Sequence, residues 1–440
     1  MQIKTRTLSL LLLSSMWACG TLISAQDASI DRALAQQYFD EANALCDQDH
    51  GRLWGISLRG PLLFVDPRTS EIVASQGDRE GRLTKTGQVY VGRLPESVPS
   101  ANTAMSWAGV KWTMIQWPLP TNKYARARLM LHELFHRMQD EVGLPASNPL
   151  NSHLDSLDGR ILLQLEWRAL REAATHEGRE RRQAVADALV FRSRRRELFQ
   201  QAAAEERALE MNEGLAEYTG VHLSGRTEAE LAGYLAARLD QAPERATFVR
   251  SFAYDTGPAY GFLLDHARAD WRARLKATDD LGLLLRDALH LQLPEGLNSE
   301  TQVRARIYDG NALRVTETAR ENTRQSALKS YRARLIDGPV LIIPLTTEVH
   351  YSYDPNNVLP LGESGTVYPT LKTSDTWGVL TVTAGALMIR NGNRPASLQI
   401  AAPTEINATQ LRGDGWTLQV NEGWKPVAAE RKGDYVLKRP

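Results

Sequence analysis

Cysteine is nearly absent from this 440-residue sequence, which contains only Cys19 and Cys46. Cys19 lies in an N-terminal segment that we expect to be removed, so the remaining chain could form no internal disulfide. This excludes a fold held together by disulfides. An exported chain of this size without disulfides is more typical of a bacterial periplasm or cell exterior than of disulfide-rich extracellular modules.

An excess of charge of either sign is also lacking. Lys plus Arg and Asp plus Glu both number 52, so the formal net charge is zero. Nucleic-acid-binding proteins need a basic surface to neutralise phosphates, and the composition supplies none. The densest basic cluster is Arg192, Arg194, Arg195 and Arg196, but glutamates are interleaved with the arginines of this region, so we expect a solvated helix face. We therefore expect no nucleic-acid partner.

Long apolar runs are missing beyond the N-terminus. Lys4 and Arg6 precede an apolar run from Leu8 to Ile23, which ends in the small pair Ser24-Ala25. This pattern is typical of a secretory signal peptide, with an uncleaved anchor as the alternative. No later run could span a bilayer. We expect an exported, periplasmic or extracellular protein without an integral membrane span; a lipoprotein modified at Cys19 is a less favoured form.

Histidine is scarce, with 9 in the chain, yet two stand four residues apart in the H-E-x-x-H sequence from His132 to His136. The apolar spacing predicts one helix from about Asn122 to Val142. On it, His132 and His136 share a face and can bind one divalent metal, with Glu133 beside it. Unpaired polar groups cost about 1–3 kcal/mol in so apolar a setting. A zinc site is therefore favoured over a chance match.

Two histidines do not complete a zinc site, which needs a third protein ligand and an open position. No histidine occurs between His136 and His153, so the ligand must come from further along the chain. The segment from 210 to 218 carries three glutamates on one predicted helix face, Glu210, Glu213 and Glu217. The alternative is that these are exposed residues of a surface helix.

At this point the sequence resembles the gluzincin metallopeptidases, the thermolysin-like and aminopeptidase N-like enzymes, in which a second helix brings a glutamate to the zinc. Their Asn-Glu-x-x-x-acid arrangement matches Asn212-Glu213 through Glu217. The resemblance implies that Glu213 is the third ligand of one Zn²⁺ per chain, with Glu210 as the main rival. It also implies that Glu217 accepts a hydrogen bond from a liganding histidine and fixes its tautomer.

A further segment extends the resemblance. Aminopeptidase N-like gluzincins carry a Tyr-x-x-Gly sequence at the start of a later helix, and Tyr254-Asp255-Thr256-Gly257 has that form. The resemblance implies that Tyr254 stabilises the oxyanion; packing of its ring in the core is the alternative.

The sequence departs from the resemblance in two respects. The gap between His136 and Glu213 is much longer than in the named groups, and an inserted helical pair would account for it. In addition, residues 101–120 contain no Asp or Glu, whereas aminopeptidases of this type bind the substrate amine with a glutamate upstream of the histidines. An endopeptidase or an unusual specificity is thus favoured.

The predicted fold class is α+β. We expect a signal peptide at 1–25, a sheet and the active-site helix at 26–150, an α-helical lobe supplying the third ligand at 151–330 and a small all-β domain at 331–440. The resemblance makes the first two folded regions a zincin-like catalytic core. A strand from Trp107 to Trp117 could be an edge that pairs with a peptide substrate, or a plain core strand.

These features lead to one expected function and one competitor. The expected function is a secreted or periplasmic zinc metallopeptidase of peptide or protein substrates, in which Glu133 is the general base for a zinc-activated water. The competitor is a non-catalytic exported binding or assembly protein on a zincin-like scaffold. Zinc binding alone does not need Glu133, so its presence favours the enzyme.

Overall fold

The computed structural model describes residues 29–95, 98, 100–268, 270–353, 358–392 and 394–439. The expected signal peptide lies outside the described residues. None of the helices that the structure describes is long and apolar enough to cross a membrane.

The N-terminal region contains one helix and a six-stranded sheet. Its elements are α1 (Arg32–Asp49), β1 (Leu62–Val65), β2 (Glu71–Ala74), β3 (Thr84–Thr86), β4 (Val89–Arg93), β5 (Thr103–Trp107) and β6 (Val110–Gln116). The strand order is β3-β4-β2-β1-β6-β5, and β1 and β6 run parallel. Side chains of β1 alternate between two cores, because Leu62 and Phe64 face the helices while Leu63 and Val65 face the opposite side.

The strand expected from Trp107 to Trp117 is divided by a turn. Ala108 and Gly109 both have positive φ angles, 48° and 75°, and form the hairpin that joins β5 to β6. As a result β6 lies between β1 and β5, and β5 forms one of the two edges of the sheet. The strand that precedes the H-E-x-x-H helix is therefore an interior strand, and the edge on this side of the sheet belongs to the strand before it.

The middle of the chain is helical. Its helices are α2 (Lys123–Met138), α3 (Leu157–Thr175), α4 (Gly178–Leu198), α5 (Ala202–Leu209), α6 (Leu215–His222), α7 (Glu228–Gln241), α8 (Ala253–Ala267), α9 (Leu281–Ala288), α10 (Leu297–Ala305) and α11 (Gly310–Arg332). A π-helical turn, Glu210–Gly214, joins α5 to α6. Helices α3 and α4 pack together as the expected pair between His136 and Glu213. Sheet and helices share one core, which extends from Ile30 to Leu313.

The C-terminal region is all β and has its own core. Its strands are β7 (Val340–Pro344), β8 (His350–Tyr353), β9 (Leu359–Pro360), β10 (Thr366–Tyr368), β11 (Leu371–Asp375), β12 (Gly378–Val382), β13 (Ala386–Asn391), β14 (Arg394–Ala401), β15 (Pro403–Ile406), β16 (Gln410–Gly413), β17 (Trp416–Val420), β18 (Lys425–Ala428) and β19 (Tyr435–Lys438). They form a seven-stranded and a six-stranded sheet around buried residues such as Trp377 and Leu418. The α+β class, with a terminal all-β region, is confirmed.

The expectation of a solvated arginine face on α4 is wrong. Arg192 and Arg195 are only 2% and 0% exposed. They belong to what we call the buried ionic network: Arg192, Arg195, Arg196, Glu166, Glu206, Glu210 and Asp280. Carboxylates from four different elements or loops compensate these cations, which is why charged side chains can be buried here.

Candidate metal site

Helix α2 carries the two histidines and begins at an ordinary cap. The side chain of Asn122 accepts a hydrogen bond from the backbone N–H of Ala125, which satisfies one of the free donors of the first turn. A 3₁₀ turn, Gln139–Val142, follows α2, and Gly143 ends it with a φ of 74°. The predicted helix is thus found nearly in full, and its buried face includes His132 and Glu133.

Three side chains converge on one point. The Nε2 atoms of His132 and His136 are 3.1 Å apart, and Oε2 of Glu213 lies 3.5 Å from the first and 3.4 Å from the second. Tetrahedral zinc, with bonds of about 2.0–2.2 Å, separates its ligand atoms by about 3.3 Å. The three atoms therefore stand at the spacing that one such ion requires, and together they could hold a metal ion.

Glu210, the rival for the third position, does not face the histidines. Its carboxylate accepts hydrogen bonds from Arg192 within the buried ionic network. The single face expected for Glu210, Glu213 and Glu217 is not found, because the π-helical turn Glu210–Gly214 changes the rotation between them. The geometry thus favours Glu213.

The tautomer of His132 follows from Glu217. Nδ1 of His132 lies 3.0 Å from Oε2 of Glu217, whose side chain is fully buried. Burial alone would raise the pKa of Glu217, but His132, Arg128 and Arg238 outweigh it and lower the pKa to about 2. An ionised carboxylate can only accept, so Nδ1 of His132 donates its proton to Glu217. Nε2 is left as a lone pair pointing at the site.

The tautomer of His136 follows from a chain of amides. The backbone carbonyl of Ser147 accepts from Nδ2 of Asn212 at 3.0 Å, so Oδ1 of Asn212 accepts from Nε2 of Gln139 at 3.0 Å. Oε1 of Gln139 then accepts from Nδ1 of His136 at 2.8 Å. Because a carbonyl can only accept, this network assigns the proton to Nδ1 of His136. Its Nε2 is a second lone pair.

Two lone pairs at 3.1 Å repel unless a cation lies between them. Burial would lower the pKa of His132, but Glu213 and Glu217 outweigh it and raise the pKa to about 9, so the cluster favours a positive charge. Burial would likewise raise the pKa of Glu213, yet the two histidines and Tyr254 hold it well below its ordinary value. Two imidazoles and a carboxylate form a donor set that suits a divalent metal such as zinc.

Glu133 lies beside these ligands without a partner of its own. Glu133 is 5% exposed and lines both cavities at the site. Within the part of the chain that the structure describes, its carboxylate makes no hydrogen bond and no ion pair. Burial raises the pKa of Glu133 above its ordinary value of 4.5. An unengaged carboxylate with a raised pKa is suited to accept a proton near neutral pH.

Tyr254 reaches the site from α8. Its hydroxyl donates to Oε2 of Glu213 at 2.6 Å, and its ring stacks on His132 with centroids 5.6 Å apart. Burial and the charge of Glu213 raise the pKa of Tyr254 well above its ordinary value, so the hydroxyl stays a donor. The structure thus brings Tyr254 to the predicted place; oxyanion stabilisation by it stays a prediction.

Two glycines explain why Tyr254 and Glu213 meet. A Cβ atom on Gly257 would lie 2.3 Å from Cα of Gly214, and one on Gly214 would lie 3.1 Å from Cα of Gly257. Helix α8 therefore touches the π-helical turn backbone to backbone. Since Glu213 precedes Gly214 and Tyr254 stands about one turn before Gly257, this close approach sets the two side chains against each other.

Two neighbouring cavities lie at the candidate metal site. The metal cavity, about 430 Å³, reaches His136 and Glu213. The arginine cavity, about 900 Å³, is lined by Arg128, Arg238, Arg245 and Arg250. His132, Glu133 and Tyr254 line both. An extended molecule could therefore occupy both cavities and pass beside the candidate metal site.

Several residues that shape the site were not predicted from the sequence. Gln139 stands three residues after His136, and helical side chains at this spacing are neighbours, so the contact between them could have been predicted from the sequence. Asn212 adjoins Glu213 within the matched motif. No local sequence pattern indicated that Arg238 and Arg250 would lie near the site, because only the fold brings them there.

Comparison with protein-family models, with curated proteins and with solved structures gave no match. The chemistry assigned to this site therefore rests on its own geometry and on the motifs of the sequence.

Proposed function

We propose that this protein is a zinc-dependent metallopeptidase of the gluzincin type, acting on peptides or proteins outside the cytoplasm. The observation that carries the proposal is the triangle formed by Nε2 of His132, Nε2 of His136 and Oε2 of Glu213. Both histidines donate their other ring proton to a partner outside this triangle. The export segment expected at residues 1–25 supports the location.

His132, His136 and Glu213 would hold one zinc ion per chain. Zinc in such a site supplies Lewis-acid chemistry, lowering the pKa of a water molecule towards about 7 and polarising a carbonyl oxygen. Glu217 and Gln139 keep the two imidazoles in the required tautomers.

Glu133 is the general base of the proposed reaction. Its free carboxylate takes a proton from the water that attacks the scissile carbonyl and later passes that proton to the leaving amine. The hydroxyl of Tyr254 donates a hydrogen bond to the oxygen that becomes negatively charged, a role whose loss costs about 2.7–4 kcal/mol in comparable sites. Proton transfer and charge stabilisation are thus assigned to separate side chains on α2 and α8.

Glu133→Gln tests this assignment. We expect the variant to keep one zinc per chain and to lose turnover by about 10²- to 10⁴-fold, because the amide cannot accept the proton. The measurements are zinc content by mass spectrometry and cleavage of a peptide library. Turnover of the variant at the wild-type rate would show that the mechanism is wrong.

The competing function, an exported binding or assembly protein, predicts another outcome. In that case the zinc-loaded wild type would cleave no peptide of the library, although it would contain the metal. Glu133→Gln would then leave every measured property unchanged.

A further inference from the structure

The arginine cavity has an unusual charge composition for a cavity beside a carboxylate-containing metal site. Its lining includes four guanidinium groups, from Arg128, Arg238, Arg245 and Arg250, and the carboxylate of Glu133. The acidic partners of Arg128, Arg238 and Arg245 are fully buried, whereas Arg250 lies 3.2 Å from Glu213 of the candidate metal site. A ligand that enters the cavity therefore meets mainly cations.

Three of the arginines form a ladder with two buried carboxylates. Arg128 donates to both oxygens of Glu217, at 2.8 and 2.7 Å. Arg238 binds Glu217 at 2.8 Å and Asp255 at 3.0 Å, and Arg245 binds the same Asp255. Three positive charges thus face two negative ones, which leaves one positive charge uncompensated within the ladder.

The two outer arginines keep donors that no described residue uses. Arg128 engages its carboxylate through Nη1 alone, and Arg245 donates through Nη1 and Nη2 but not through Nε. Their side chains are 25% and 31% exposed, while both carboxylates are 0% exposed. Arg238, in the middle, uses all three of its nitrogens. Both arginines line the cavity, so their unused donors are the candidates for contact with a ligand there.

We propose that the arginine cavity binds a carboxylate of the substrate, so that the peptidase selects peptides with an acidic group beside the cleaved bond. This proposal rests on the function proposed above. A guanidinium group with free donors recognises a carboxylate through charge-assisted hydrogen bonds, and the uncompensated charge of the ladder favours one anion. The group is either an Asp or Glu side chain or the α-carboxylate at the end of the peptide.

The test measures binding without cleavage. Zinc-loaded Glu133→Gln protein is titrated into fluorescent peptides that differ only at one position, Glu against Gln, each with a free or an amidated C-terminus. We expect an acidic peptide to bind about tenfold more tightly than its neutral counterpart, as one charge-assisted contact predicts. A preference that follows the side chain identifies an acidic residue, and one that follows the terminus identifies the α-carboxylate.

Arg128→Ala in the same background should remove most of this preference. Because Arg128 also supports Glu217, zinc content is measured for each variant, and Arg245→Ala provides a second change that lies away from the histidines. The matched control is Arg82→Ala, an exposed arginine paired with Glu80 on the surface, which should keep the preference.

Two negative outcomes can be told apart. Equal binding of acidic and neutral peptides by the zinc-loaded protein would overturn the carboxylate proposal and leave the peptidase proposal intact. No binding of any peptide, together with no cleavage of the library by the wild type, would overturn both.

Discussion

The metal site and the buried ionic network are two clusters of charged side chains that share one helical stretch and differ in how their charges are balanced. In the network, Arg192 contacts three carboxylates, of Glu166, Glu210 and Asp280. In the metal site, two imidazole lone pairs and a carboxylate oxygen face one another. Arginines balance the carboxylates of the first cluster, whereas the three atoms of the second could hold a metal ion. Both clusters are buried, so the balance of charge, rather than burial, distinguishes the candidate metal site from the buried ionic network.

The largest expected effect comes from removing a ligand. His136→Ala should abolish stoichiometric zinc binding, because two ligands do not complete the site. Added zinc should then raise the melting temperature of the wild type but not of the variant. The matched control is His153→Ala, which removes another histidine that binds a carboxylate, Glu206 of the ionic network, at 2.9 Å. Zinc retained by His136→Ala would contradict the assignment.

The two glutamates of the π-helical turn should separate stability from metal binding. Glu210→Ala leaves Arg192 without one of its carboxylates, and breaking a buried ion pair costs about 3–5 kcal/mol of the free energy of unfolding. We expect this variant, if folded, to bind zinc. Glu213→Ala should show the reverse, with no bound zinc and a smaller loss of stability. Urea unfolding and metal content measure both; zinc lost only in Glu210→Ala would refute the geometry.

Glu217→Gln should weaken zinc binding without abolishing it. The amide can hold His132 but no longer supplies a charged acceptor, and comparable changes lower metal affinity by about 10- to 100-fold. Asp255→Asn is the matched control, because Asp255 is a buried carboxylate bound by the same Arg238 but touches no histidine. Competition with a chromogenic chelator gives both affinities. Equal zinc affinities for the two variants would contradict a role for Glu217 in zinc binding.

The contact between the π-helical turn and α8 can be tested with one methyl group. Gly257→Ala places a Cβ 2.3 Å from Cα of Gly214, so we expect a loss of about 1–3 kcal/mol from overpacking. Gly233→Ala, on the exposed face of α7, meets nothing within 4 Å and should stabilise the protein by up to about 1 kcal/mol. Thermal unfolding compares the two; a neutral Gly257→Ala would contradict the close approach.

The smallest expected effect concerns acid stability of the ionic network. Burial would raise the pKa of Asp280, but Arg192 and Arg196 outweigh it and hold the pKa below its ordinary value of 3.8. A depressed pKa adds stability above pH 3.8 that is lost as the pH falls further. Asp280→Asn keeps the helix cap on α9. Its free energy of unfolding should therefore fall less steeply below pH 4 than that of the wild type, as urea titrations would measure.

The sequence predicted the three residues of the candidate metal site but not their surroundings. The H-E-x-x-H spacing is a local property of one helix, so α2, His132 and His136 could be predicted from periodicity alone. Glu213 needed the resemblance, because α3 and α4 separate it from the histidines. The Gln139–Asn212 chain and the arginine ladder depend on contacts between distant segments, which no local pattern encodes.

The same limit explains the error on α4. Arg192 and Arg195 alternate with polar residues, as on a solvated face, and only packing against α3 and α5 reveals that Glu166 and Glu206 balance their charges. Composition cannot distinguish a cation in water from one compensated inside the protein.

The π-helical turn Glu210–Gly214 joins α5 directly to α6. The turn rotates the side chains of α6 about the helix axis relative to those of α5. On an uninterrupted α-helix, residues 206, 210, 213 and 217 would form a single stripe, because they follow the three- and four-residue spacing of one face. Here the first two serve the ionic network and the last two serve the metal site. Deleting one of the other residues of the turn would keep all four glutamates in the chain, yet rotate the first two relative to the last two by about 100°. Chain length within one turn, as much as residue identity, thus specifies the site.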